Sequence, residues 1–259
     1  MKTSNMRHRR LEVCCADAES VIAAINGGAD RIELCCALSE GGVTPSEGLI
    51  KFAVKRSPIP VNVLIRPRGG DFVYLPEEID VMVSDIHTAG RLGANGVVIG
   101  SLTESGDIDI EQCGRMIDAA HSHNLSVTFH RAFDLCRDPY SSLESIISLG
   151  ADRLLTSGQA PTALEGARLI AELVSSAAGR LIIMPGAGIN AGNVAELIAK
   201  TNTSEVHASA SRNVNSRMSY RNPAVSMGGD PATDEYSRKT TSAVKVKELV
   251  TILHNMNIK

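Results

Sequence analysis

The strongest constraint in this sequence is a unit repeated along its length: a short apolar run followed by a segment of helical character. Such runs stand at residues 11–14, 31–35, 61–66, 96–100, 126–130, 152–156, 180–184 and 205–208. They recur about every 28 residues, near the roughly 30 residues of a strand–helix–strand unit. Strands that alternate with helices form a parallel sheet, and eight of them close into a (β/α)8 or TIM barrel. The connections repeat too. GGAD at 27–30, LGAN at 92–95 and LGAD at 149–152 each stop a helix on glycine, which enters the left-handed conformation without steric cost. The 259 residues match one barrel of about 250. We therefore expect a single barrel domain over residues 11–259, with residues 1–10 a disordered N-terminal segment.

The long stretch at 209–241, rich in Ser, Asn, Arg and Gly, interrupts this rhythm after the eighth strand. Loops of that length are uncommon unless functional or disordered. It reads either as a lid over the strand ends or as a surface excursion. Net charge is -3, which gives no electrostatic footprint for nucleic acid. No apolar run is long enough for a membrane span, and no apolar h-region of a secretory signal is present, so neither a membrane nor an export route is expected. The six cysteines form two vicinal pairs, Cys14–Cys15 and Cys35–Cys36, with Cys113 and Cys136 apart. That pattern does not resemble a disulfide framework and points to reduced thiols and a cytoplasmic location. Cys36, Cys113 and Cys136 receive no role.

Alternation along a strand separates residues facing the helices from residues facing the barrel axis. Leu11 and Val13 face the helices in the first run, so Glu12 and Cys14 point inward. The same parity turns Glu33 and Cys35 inward in the second run, Asn62, Leu64 and Arg66 in the third, Thr128 and His130 in the fifth, and Glu205, His207 and Ser209 in the eighth. Buried ionisable groups are costly unless they pair or bind something. The inward set of Glu12, Glu33, Arg66, His130 and His207 is thus either a self-satisfied network or a site.

Five features bear on that choice. Neighbouring parallel strands lie about 4.8 Å apart, so Cys14 and Cys35 can bring their sulfurs together, as soft ligands for Cu(I) or as small buried hydrophobes. IRPRGGDF at 65–72 carries Arg66 and Arg68 beside a rigid proline and a glycine pair, an anion clamp. MPGAGI at 184–189 and SASR at 209–212 follow the seventh and eighth runs, where this fold commonly binds phosphate. There Gly186, Gly188, Ser209 and Arg212 are the anion-binding candidates, with a helix expected from about residue 190. VTFHRAFD at 127–134 puts His130 at a strand end as a general base or a metal ligand. No lysine stands at a strand end, which argues against Schiff-base chemistry.

Taken together, LEVCC, GGADRIELC, SEGGVTPSEG, IRPRGGDF, VTFHRAFD, LLTSG, MPGAGI, EVHASA and DEYSRK resemble the CutC copper-homeostasis proteins, from Leu11 to about Lys239. The resemblance implies a (β/α)8 barrel, a cytoplasmic location, a role in copper homeostasis and a homodimer or homotetramer. It implies Cu(I) on cysteines matching Cys14 and Cys35; by their inward placement, His130 or His207 would be the further ligands. The alternative is an enzyme of lyase, isomerase or hydrolase type acting on a small anionic or phosphorylated metabolite at the strand ends. Glu12, Glu33 and His130 would then be catalytic and move protons, and Arg66, Arg68 and the glycine loop would hold the anion.

Overall fold

Eight parallel strands carry the polypeptide: β1 Arg10–Cys15, β2 Arg31–Leu34, β3 Val61–Leu64, β4 Gly96–Ile99, β5 Ser126–Phe129, β6 Arg153–Thr156, β7 Ile182–Pro185 and β8 Glu205–Ala208. Around them lie α1 Ala18–Gly27, α2 Glu47–Arg56, α3 Pro76–Arg91, α4 Ile110–His121, α5 Pro139–Ser148, α6 Ala167–Ala177, α7 Val194–Thr201 and α8 Ala243–His254. The coordinates are a computed structural model that describes residues 8–222, 224, 225 and 234–256.

Strand pairing runs β7-β6-β5-β4-β3-β2-β1-β8. The seam between β7 and β8 is closed by packing. A Cβ placed on Gly186, just past β7, would stand 3.5 Å from the His207 Cβ on β8 and 2.6 Å from Leu155. The expected (β/α)8 barrel is therefore present. Its helix stops follow the repeated glycines, since Gly28, Gly93 and Gly150 have φ of 84°, 85° and 82°. Polar residues start the helices: the side chains of Asp17, Ser46, Asp109, Asp138 and Ser242 accept from free N–H groups of α1, α2, α4, α5 and α8.

The parity read from the sequence matches the packing. Leu11, Val13, Ile32, Leu34, Val127 and Phe129 are fully buried in the core between strands and helices. Each such side chain contributes roughly 1.5–3 kcal/mol of transfer free energy. Cys14, Cys35, Leu64 and Val98 form a separate small cluster inside the barrel.

Two expectations are corrected. Order begins before residue 11: β1 starts at Arg10, and Arg9 is buried with its guanidinium 3.0 Å from the Asn202 side chain. Residues 1–7 lie outside the described residues. The stretch after β8 is also not one irregular loop. Its ends pair as an antiparallel hairpin, β9 Ser211–Asn215 with β10 Ser237–Thr241. The hairpin is anchored beside α1, where Arg238 meets Asp17 at 3.1 Å and also pairs with Glu19. Its strands are polar and short, so no apolar pattern announced them. Its middle, 226–233, lies outside the described residues.

Candidate functional site

The C-terminal ends of the strands enclose a cavity of about 280 Å³. Cys14, Cys35, Glu33 and His207 line one side, Arg66 and His130 another, with Gly188 and Ser209 at the rim. Barrel geometry assembles this wall. Parallel register sets Glu12 beside His207 and Cys14 beside Glu33, so side chains nearly 200 positions apart in sequence share one layer.

A charged floor lies beneath the cavity. Arg31 Nε donates to Glu12 Oε2 at 2.5 Å, and its Nη2 reaches Glu205 Oε2 at 2.6 Å. Arg153 Nε meets the same Glu205 oxygen at 2.9 Å. Sequence reasoning missed Arg31 and Arg153. The signal existed for Arg31, which stands two positions before Glu33 and so has the same inward parity.

Glu12 joins floor to wall, because its Oε1 is 2.8 Å from His207 Nδ1. Burial alone would raise its pKa, but the Arg31 guanidinium and His207 outweigh this and hold the carboxyl at about 2. His207 Nε2 in turn stands 3.2 Å from Glu33 Oε2. Burial works against the imidazolium, yet Glu33 and hydrogen bonds with Cys14 and Glu12 carry the His207 pKa well above that of free imidazole. Glu33 has no guanidinium of its own. Burial pushes its carboxyl up to about 7 despite His207, so it titrates near neutrality. The Cys14 and Cys35 sulfurs are 3.4 Å apart, and Cys14, Glu33 and His207 hold ligating atoms within 4.8 Å of one another. The contact with Cys35, together with burial, raises the Cys14 thiol far above its usual range, so it is protonated at neutral pH.

The opposite wall pairs a neutral imidazole, His130, with the charged Arg66 guanidinium. His130 Nδ1 accepts from the Ala132 N–H at 3.2 Å, which leaves the ring proton on Nε2. Burial, then the nearby Arg66 charge, holds the His130 pKa down at about 3. Gly100 makes room for the ring, since a Cβ there would lie 2.6 Å from it. Arg66 is not free to clamp an anion with its fork. It donates to the carbonyls of Glu40, Gly42 and Gly70 at 2.6, 2.8 and 2.7 Å and lies over the Phe72 ring. Among the described residues, Arg66 Nε and His130 Nε2 are both buried without a hydrogen-bond partner.

The other anion candidates divide. Gly188, with φ 72°, and Ser209 line the cavity. Arg68 points away from it, held by Glu78 at 2.6 Å and stacked over Tyr74, because the chain turns outward after Pro67. Arg212 has left the strand ends for β9 and stands 3.6 Å from Glu19. Gly186 serves the β7–β8 seam. The expected helix near residue 190 begins at Val194 instead, after a turn in which Asn193 Oδ1 accepts from the Asn190 N–H.

The CutC family sequence pattern matches residues 9–212. The chain belongs to the CutC family. A CutC family protein of Parabacteroides distasonis is 49% identical over 243 residues, covering 93% of this chain and 99% of that protein. A human relative, named copper homeostasis protein cutC homolog, is 47% identical over 246 residues, covering 95% of this chain and 89% of its own length. The crystal structure of CutC from Streptococcus agalactiae superposes with a TM-score of 0.74 at 33% identity, covering 78% of this chain and 98% of that one. Phosphoribosylanthranilate isomerase of Thermotoga maritima shares the barrel alone, at 13% identity and a TM-score of 0.55. Among the described residues of this CutC-family chain, no helix is long and apolar enough to cross a membrane.

Proposed function

We propose that this chain acts in copper homeostasis by taking up Cu(I) on Cys14 and Cys35. The observation that carries the reading is the contact of these two buried thiols, 3.4 Å apart at the wall of the cavity. Two soft sulfurs in contact suit Cu(I) over harder ions. Cys14 starts protonated, and uptake on the two thiols is a proton-releasing exchange. Two S–H bonds break, two Cu–S bonds form, the copper stays Cu(I), and two protons leave. Glu33, titrating near neutrality, is a nearby base for one of them. His207 Nε2 can join the ion only after giving up its own proton. Affinity should therefore rise with pH. Titration with Cu(I) under reducing conditions tests this reading. One ion per chain is expected, lost in Cys14→Ser and in Cys35→Ser; unchanged stoichiometry in both overturns it.

The cytoplasmic location and the homodimer or homotetramer belong to the same proposal. All six cysteines are free, which suits a reducing compartment. Leu75, Val81 and Ile110 leave apolar surface exposed around α3 and α4, as an interface between copies requires. Light scattering that reports a monomer would remove the oligomer.

A second reading has its own support. Arg66 and His130 both line the cavity, and among the described residues the buried Arg66 Nε and His130 Nε2 have no hydrogen-bond acceptor. Glu33 and His207 face them as a proton-transfer pair. A small anionic or phosphorylated metabolite seated against Arg66 and His130 would be turned over by Glu33 as base, with Gly188 and Ser209 at its rim. A ligand at about 100 times its Kd adds about 2.7 kcal/mol of stability, so a thermal-shift screen of such metabolites checks this directly. Silence across the library would sink it.

A further inference from the structure

The opposite end of the barrel, where the strands begin, holds a second group of ligating side chains outside the cavity. His8 precedes β1, Asp30 lies in the turn from α1 to β2, and His254 is the last residue of α8. The barrel brings these three distant positions together. His8 Nε2 is 3.2 Å from Asp30 Oδ1, and His254 Nε2 is 3.5 Å from Asp30 Oδ2. All three residues hold a ligating atom within 4.8 Å of the others. The two imidazole rings lie 4.1 Å apart, tilted by 56°. The Leu11 N–H donates to Asp30 Oδ2 at 2.9 Å, so the carboxylate is oriented by the backbone of β1.

We propose that His8, Asp30 and His254 form a surface site for a borderline divalent transition-metal ion such as Zn(II), Ni(II) or Cu(II). Two imidazoles and a carboxylate, with no thiol, are the donors such ions take, whereas Cu(I) prefers sulfur. The spacing fits. Ligand bonds near 2.1 Å around a tetrahedral ion put neighbouring donor atoms about 3.4 Å apart. The imidazole-to-carboxylate separations, 3.2 Å to Oδ1 and 3.5 Å to Oδ2, straddle that value, and one atom from each residue lies within 4.8 Å of the others. His8 and His254 side chains are 48% and 37% exposed, so an ion can enter from solvent and complete its shell with water. An ion seated there would tie the start of β1 to the end of α8 and hold both ends of the described chain on the barrel.

The site is separable from the cavity by its chemistry. The experiment uses the full chain carrying Cys14→Ser and Cys35→Ser, with Co(II) as probe and Zn(II) as competitor. One equivalent of Co(II) should bind with visible ligand-field bands and without thiolate-to-metal charge transfer, and Zn(II) should displace it. His8→Ala and His254→Ala should each weaken binding at least tenfold and abolish the rise in melting temperature that Zn(II) gives the parent. Asp30→Asn, which keeps an acceptor for Leu11, should weaken binding while leaving the fold intact. Absence of the bands, a thiolate charge-transfer band, or unchanged affinity in either histidine variant overturns the proposal. None of these outcomes depends on whether the cavity binds copper.

Discussion

The floor and the wall of the barrel interior use the same residue types to opposite ends. In the floor, Arg31 and Arg153 converge on Glu12 and Glu205, and every one of these side chains has a counter-charge. In the wall, Glu33 pairs with His207, the two thiols touch each other, and among the described residues Arg66 and His130 each keep a buried N–H unpaired. Burying charge is favourable only when pairing is complete. The floor meets that condition and reads as structure. The wall does not, and its leftover capacity marks the site.

The comparison breaks most directly at Arg31. Arg31→Met leaves Glu12 and Glu205 buried with fewer counter-charges, and a loss of about 3–5 kcal/mol is expected in urea unfolding. A loss below 1 kcal/mol would mean that the floor is not the structural half.

Acid comes next. The folded Glu12 carboxyl, at about 2, lies below its ordinary value of 4.5. Its contribution is therefore complete above the ordinary value and is lost as pH falls towards 2, on the order of 3 kcal/mol at 1.36 kcal/mol per unit. Glu33 has the opposite sign. Its folded pKa is raised to about 7 from 4.5, so it makes the fold less stable as pH rises between those values. Stability measured against pH in Glu33→Gln should lose that decline; an unchanged curve would put Glu33 with the floor.

Gly100→Ala should cost about 1–3 kcal/mol, because the new methyl meets the His130 ring and the core must shift. A thermal melt checks this, and a neutral result would mean that His130 is not fixed in place. The smallest effect is expected at Arg68. Its ion pair with Glu78 is partly exposed, so Arg68→Ala should change stability by about 1 kcal/mol or less and leave cavity binding untouched. A clear loss of anion binding in that variant would return Arg68 to the site.

Much of this was legible in the chain itself. The repeated apolar runs and their glycine stops gave eight strands and eight helices, because period and helix termination are local properties. Strand alternation gave the inward faces of Glu12, Cys14, Glu33, Cys35, His130 and His207, because side-chain direction follows from position along a strand. Tertiary structure alone decided what those faces do. Arg66 and Arg68 sit in one motif, yet Arg66 is anchored on three loop carbonyls at the cavity and Arg68 is turned out onto Glu78. Glu12 and Glu33 share parity and chemistry, yet one is held at about 2 and the other raised to about 7. The difference is the Arg31 guanidinium, which β1–β2 register sets in contact with Glu12, whereas Glu33 is paired with His207. Pairing between residues far apart in sequence is set by register and closure, and neither is written in a local pattern.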